Sequence, residues 1–165
     1  MNSDDAPVNQ PPTIEIVNNI SKQLQKFGTN LNNWPVVLYS GTLVSTEVTY
    51  AYATNDSAGD NTDTLSDIES GDSYNYSPGT TLIFQQYENI VITVNAPGNF
   101  SDGDETSSMS LTIDLSTICP SDDITITIGY QNDAAQNSWS YLATVAYGGN
   151  SQQLVFDEPC QNLPN

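Results

Sequence analysis

The sequence predicts an all-β protein, an antiparallel β-sandwich of roughly eight to ten strands. Three observations carry this. Apolar and polar residues alternate with period two in several separate stretches, most regularly between residues 90 and 130. Those stretches are rich in Val, Ile, Thr and Tyr, which suit a pleated, half-buried surface. Pro, Gly, Asn, Asp and Ser gather between them about every 8–12 residues, as turns do.

The central stretch is the most regular. Ile90, Ile92 and Val94 alternate with Val91, Thr93 and Asn95. Met109, Leu111, Ile113 and Leu115 alternate with Ser110, Thr112 and Asp114, and Ile124, Ile126 and Ile128 with Thr125, Thr127 and Gly129. Period-two alternation turns every second side chain to one face, so each strand buries one side and wets the other. Residues 96–99 and 119–123, both containing Pro, read as the turns between them.

The other elements follow in chain order. Residues 1–12 hold Pro7, Pro11 and Pro12 without alternation and read as a flexible arm. One domain is expected over 13–157, with a tail at 158–165. Residues 13–18 read as the first strand. Ile20, Leu24 and Phe27 have approximate helical spacing, which leaves a short helix or a wandering connection open. A short strand is expected at 35–39. Val44, Thr46, Val48, Tyr50 and Tyr52 then mark one face of a long strand. Residues 55–73 carry Asp56, Asp60, Asp63, Asp67, Glu69 and Asp72 among small polar residues and read as an acidic loop. A strand is expected at 80–85, a second acidic loop at 99–108 and a polar connection at 131–138. Trp139, Tyr141, Ala143, Val145 and Tyr147 mark a late strand, 148–150 a turn and 152–156 a final strand.

Composition excludes several function classes. The chain has 20 acidic residues against two basic ones, Lys22 and Lys26, with no Arg and no His, for a formal charge of −18. Nothing is available to neutralise phosphates, so nucleic acid and anionic lipid surfaces are excluded as electrostatic partners. Zwitterionic or neutral lipid and uncharged sugar remain. Uncharged polar residues cover much of the expected surface, which fits a secreted or extracellular protein. The opening residues, Met1-Asn2-Ser3-Asp4-Asp5, show no hydrophobic leader, and no apolar run approaches the ~20 residues of a membrane span. Cys119 and Cys160 both lie beside Pro, and the choice is between a disulfide joining tail to turn, which the loop contexts favour, and two free thiols. Asn-x-Ser sequons occur at Asn19, Asn55, Asn75 and Asn99; they matter only in a secreted eukaryotic protein.

Catalytic signals are poor. Without His there is no Ser–His or Cys–His nucleophile and no good zinc site. Without Arg or a Gly-rich loop, phosphoryl transfer is not supported. The expectation is a non-enzymatic protein with no obligatory cofactor. Asp102, Asp104 and Glu105, close together beside Gly103, are the candidate calcium ligands, with a solvated acidic loop as the plainer reading. The aromatic residues are more informative. Trp34, Tyr130, Trp139 and Tyr141 fall near strand ends, where exposed rings serve as sugar-stacking platforms or interfacial lipid anchors, and where ordinary core packing is the alternative.

One family resemblance emerges from these residues. The run Val94-Asn95-Ala96-Pro97-Gly98 is followed by a polar acidic loop. Leu111-Thr112-Ile113-Asp114-Leu115, an acidic turn, a strand and Asn137-Ser138-Trp139 come next. This order resembles the aegerolysins, as does an opening strand ending at Asn18 with Trp34 after it. The similarity runs from about residue 13 to residue 157. Pro97 stands where the family has Cys, Ile128-Gly129-Tyr130-Gln131 stands where its tryptophan-rich motif belongs, and 55–73 looks like an insertion. The resemblance implies a compact β-sandwich that recognises a membrane lipid of the sphingolipid type, often with sterol, and forms pores with a larger partner protein. The expected function is therefore non-catalytic binding of membrane lipid through Trp34, Tyr130, Trp139 and Tyr141. The alternatives are a carbohydrate-binding, lectin-like module and a structural subunit of a coat, filament or inclusion.

Overall fold

A computed structural model describes residues 11–20, 23–27, 34–38, 41–79, 83–97, 106–133, 138–155 and 161–162. The described residues contain no helix. Twelve strands run in order: β1 (Ile14–Asn18), β2 (Gln23–Phe27), β3 (Trp34–Leu38), β4 (Thr42–Ala53), β5 (Ala58–Thr64), β6 (Ser73–Tyr76), β7 (Ile83–Pro97), β8 (Thr106–Asp114), β9 (Ile124–Asp133), β10 (Ser138–Tyr147), β11 (Asn150–Val155) and β12 (Gln161–Asn162).

Two sheets pack face to face, as the alternation predicts. The first has the order β11-β10-β9-β1-β6, with β12 also paired to β10. The second has the order β5-β4-β7-β8. Strands β2 and β3 form a separate hairpin, Phe27 opposite Trp34. Strand β1 is parallel to β9 and antiparallel to β6. It is locked at its start by Thr13 N–H donating to Asp123 Oδ1 at 2.9 Å.

One continuous core lies between the sheets. Ile14, Ile16, Ile124, Ile126, Ile128, Ala143 and Val145 from the first sheet meet Leu43, Val48, Ile90, Ile92, Val94 and Ile113 from the second. These are the inward positions of the alternating strands. Burial of branched side chains from both faces supplies the main driving force, at about 25 cal/mol per Å² of apolar surface removed from water.

Four expectations need correction. The long strand β4 does not keep one face throughout. Ser45 sits at φ 51°, the pairing with β7 shifts between Val44 and Glu47, and this bulge turns Leu43 inward and Val44 outward while Thr46, Val48 and Tyr50 stay buried. Residues 58–64, read as acidic loop, form β5 against β4, because Asp60, Thr62 and Thr64 take the wet face and Gly59, Asn61 and Asp63 the half-buried one. The helical spacing of Leu24 and Phe27 is overridden by the hairpin pairing of β2 with β3. The tail contributes β12, which pairs with Ser138 and Trp139. At the other terminus, Pro12 is buried and its carbonyl accepts a hydrogen bond from the Tyr87 hydroxyl. The β10–β11 turn follows the expected Gly-Gly chemistry: Gly148 and Gly149 have φ of 51° and 82°, the pair of positive angles a two-residue hairpin requires.

A single polar side chain ties the sheets at one end. Asn18, fully buried, donates through Nδ2 to the carbonyls of Gly41 and Ile68, each at 2.8 Å, and its Oδ1 accepts from Ile20 N–H at 3.0 Å. Ile68 is in turn bridged to Leu43 of β4. The carboxamide thus joins β1 to the segments flanking the second sheet with all three bonds satisfied.

Candidate functional site

The side of the sandwich where β5 edges one sheet and β6 edges the other holds an open cleft. Its volume is about 300 Å³, and it is lined by Asp63, Thr64, Leu65, Tyr74, Asn75, Tyr76 and Ser77. Local sequence dictates the lining. Alternation in 58–64 turns Asp63 to the same half-buried side as Asn61. Alternation in Ser73-Tyr74-Asn75-Tyr76 buries Tyr76, leaves Tyr74 half-buried and exposes Asn75.

The floor of the cleft is a hydrogen-bonded pair. Tyr76, 4% exposed, donates its hydroxyl proton to Asp63 Oδ2 at 2.6 Å. Burial, and then the bond to the Asp63 carboxylate, push the Tyr76 phenol well above its ordinary value of 10.0, so it stays protonated. Asn61 Nδ2 donates to the Tyr50 hydroxyl at 3.0 Å and lies 3.5 Å from Asp63 Oδ1. Asp63 is thereby oriented from two directions, with its carboxylate at the cleft.

Behind the floor stands a row of aromatic rings. Tyr76 packs on Tyr87 at 6.3 Å between centroids, Tyr87 on Phe84 at 4.7 Å, Phe84 on Tyr50 at 6.0 Å and Tyr50 on Tyr52 at 6.4 Å, all tilted as ring quadrupoles prefer. Tyr52 lies over Gly59 of β5, where a Cβ would stand 3.1 Å from the ring. The phenol of Tyr87 is also raised, first by burial and then by the charge of Asp123. Of these rings only Tyr76 lines the cleft; the others back it from within the sandwich.

Of the expected site residues, Tyr130 and Tyr141 are brought together as cross-strand partners on β9 and β10, but in the packed interior rather than at an exposed surface. Tyr141 is corrected from surface anchor to core residue: it is 2% exposed, because it shares the inward face of β10 with Ala143 and Val145. Half-buried Tyr130 stacks on it at 5.6 Å and 28°. Trp34 begins β3 and Trp139 pairs with Asn132 and Gln161 on β10; their side chains lie outside the described residues. So do Asp102, Asp104 and Glu105. The described residues contain no group of three or more carboxylate, His or Cys side chains able to hold a metal. Cys119 is exposed, its Sγ 3.2 Å from Ser121 Oγ; Cys160, the partner expected for it, lies outside the described residues.

The sequence reads Asp63 only as one acid of a loop, with no sign that it meets Tyr74 or Tyr76. The signal that could have joined them is the polar alternation of residues 58–64, a strand pattern without apolar residues. No family model, curated protein or solved structure matches this chain.

Proposed function

We propose that this protein is a non-catalytic, extracellular carbohydrate-binding β-sandwich, and that the cleft between β5 and β6 takes an uncharged sugar. The observation that carries the reading is the lining of that cleft: an oriented Asp63 carboxylate, half-buried Tyr74 and exposed Asn75 border one opening. A carboxylate and a carboxamide together offer the acceptors and donors that vicinal hydroxyls need, and an aromatic ring packs on the C–H face of a sugar. A volume of about 300 Å³ is at the small end for ligand sites and suits one or two sugar rings. A net charge of −18 favours a neutral glycan over sialylated or sulfated ones. Among the described residues Asp63 is the one carboxylate lining the cleft, whereas glycoside hydrolysis uses two across the scissile bond.

The test is a glycan array followed by NMR titration of the hits, with liposomes of phosphatidylcholine, sphingolipid and sterol in parallel. The expected result is shifts confined to Asp63, Tyr74, Asn75 and their neighbours with a neutral oligosaccharide, lost in Asn75→Ala and Tyr74→Ala while thermal stability is kept. Binding only to sphingolipid vesicles, with no shift at the cleft, overturns this reading in favour of the lipid-binding one.

A further inference from the structure

We propose that Tyr76 is a redox-active tyrosine. A one-electron oxidant at the protein surface draws an electron along the aromatic row, and Tyr76 becomes a neutral tyrosyl radical as its phenolic proton passes to Asp63. This is independent of what the cleft binds.

The chemistry of a phenol sets the requirement. Loss of an electron leaves a radical cation, which is a very strong acid. Oxidation is therefore easy only where a base within hydrogen-bond reach takes the proton as the electron leaves. Tyr76 has that base in place, since its hydroxyl donates to Asp63 Oδ2 at 2.6 Å. The other tyrosines of the row are placed differently. Tyr87 donates to the neutral carbonyl of Pro12, and the Tyr50 hydroxyl accepts from Asn61 Nδ2. Of the four tyrosines in the row, Tyr76 alone is bonded to a carboxylate among the described residues.

The step balances. One electron goes to the oxidant. The O–H bond of Tyr76 breaks, an O–H bond forms on Asp63 Oδ2, and the new carboxylic acid donates a hydrogen bond back to the phenoxyl oxygen. The proton stays within the pair. The pair passes from one negative charge to none, so no new charge is buried. The chain's formal charge of −18 favours loss of an electron and draws a cationic oxidant to the surface.

The row supplies the path. Its outer end is half-buried Tyr52, whose hydroxyl lies over Gly59 of the edge strand β5. From there the ring centroids are 6.4 Å apart to Tyr50, 6.0 Å on to Phe84, 4.7 Å to Tyr87 and 6.3 Å to Tyr76. Rings this close exchange electrons by short-range tunnelling. Phe84 has no phenolic proton to lose and serves as a bridge between Tyr50 and Tyr87, not as a stop. Tyr76 is 4% exposed, so the radical is shielded from solvent once it has formed. The base beside it makes this ring the place where the oxidising equivalent comes to rest.

Flash photolysis of the full chain with photogenerated tris(bipyridine)ruthenium(III), a cationic one-electron oxidant, tests the proposal, read by transient absorption and by electron paramagnetic resonance of freeze-quenched samples. The expected result is a tyrosyl radical carrying a hydrogen bond from one exchangeable proton, seen as a difference between ordinary and heavy water. Tyr76→Phe and Asp63→Asn are each expected to lose this signal while circular dichroism stays as in the parent. Tyr52→Phe is expected to delay its appearance. If Tyr76→Phe or Asp63→Asn fails to fold, the exchangeable proton in the unaltered protein and the delay in Tyr52→Phe decide. A radical on tryptophan, a tyrosyl signal without the exchangeable proton, a signal that survives in folded Tyr76→Phe or Asp63→Asn, or an appearance time untouched by Tyr52→Phe overturns the proposal.

Discussion

Tyr76 Oη and Asp63 Oδ2, 2.6 Å apart, form a side-chain bond between the two sheets, because Tyr76 belongs to β6 of the first and Asp63 to β5 of the second. The donor is neutral and the acceptor ionised, which makes the bond stronger than a neutral pair. Tyr76→Phe is expected to destabilise the protein by about 1–3 kcal/mol. Urea unfolding of Tyr76→Phe, Asp63→Asn and the double variant, read as a thermodynamic cycle, should show coupling between the two positions; additive effects would mean that the bond contributes nothing of its own.

Alkaline pH should reveal the same residue. The phenols of Tyr76 and Tyr87 are raised above the ordinary 10.0 by burial first. The folded chain therefore keeps protons that the unfolded chain gives up above about pH 10. Their contribution is complete below that value and is lost as pH rises beyond it. Thermal unfolding between pH 8 and 12 should show a steep decline, and Tyr76→Phe should make it shallower. An unchanged slope would remove Tyr76 as a cause.

The outer face of the second sheet should add a weaker dependence at acidic pH. A hydrogen bond between the Glu88 and Asp60 carboxyls, first among the causes, holds Glu88 above its usual 4.5. A raised carboxyl stabilises the fold in its protonated form, so this contribution is present below the unfolded value and lost as pH rises through the folded one. Glu88→Gln keeps a hydrogen-bond donor without titrating. The stability difference between parent and variant should shift against the parent as pH rises from about 4 to 7, measured by urea midpoints.

Asn18 should be intolerant of change. Its carboxamide satisfies two carbonyls and one N–H in a fully buried place. Asn18→Ala leaves the Gly41 carbonyl and the Ile20 N–H without this partner, while the Ile68 carbonyl keeps its bond from Leu43 N–H, and is expected to cost on the order of 2–4 kcal/mol. Asn18→Asp has the same shape but no Nδ2 donor and sets a carboxylate against the oxygens of Gly41 and Ile68, so it should be at least as damaging at neutral pH. A proton–nitrogen correlation spectrum and a urea midpoint close to those of the parent for Asn18→Asp would refute the role given to the donor.

Thr46 should behave oppositely. It is fully buried beside the Ser45 bulge, and its hydroxyl has no partner. Thr46→Val removes an unsatisfied polar group at nearly constant shape and is expected to be neutral or to stabilise by about 1 kcal/mol, a rise of roughly 2–4 °C in Tm. Differential scanning calorimetry checks it. A lower Tm would mean that the hydroxyl is engaged.

The sequence alone determined the all-β class, the inward faces of β7, β8, β9 and β10, and a net charge of −18. Alternation and charge are local or additive properties, readable without knowing what packs against what. It did not determine where alternation breaks: Ser45 is an unremarkable serine until pairing with β7 forces it to φ 51°. Nor did it reveal β5, whose two faces are both polar, so that strand and acidic loop look alike in one dimension. The cleft was out of reach for the same reason, since Asp63 and Tyr76 meet only because β5 and β6 end up on facing edges of different sheets. Tyr141 marks the other limit. An alternating aromatic reads equally as anchor or core, and only the packing of β10 over the second sheet placed it inside.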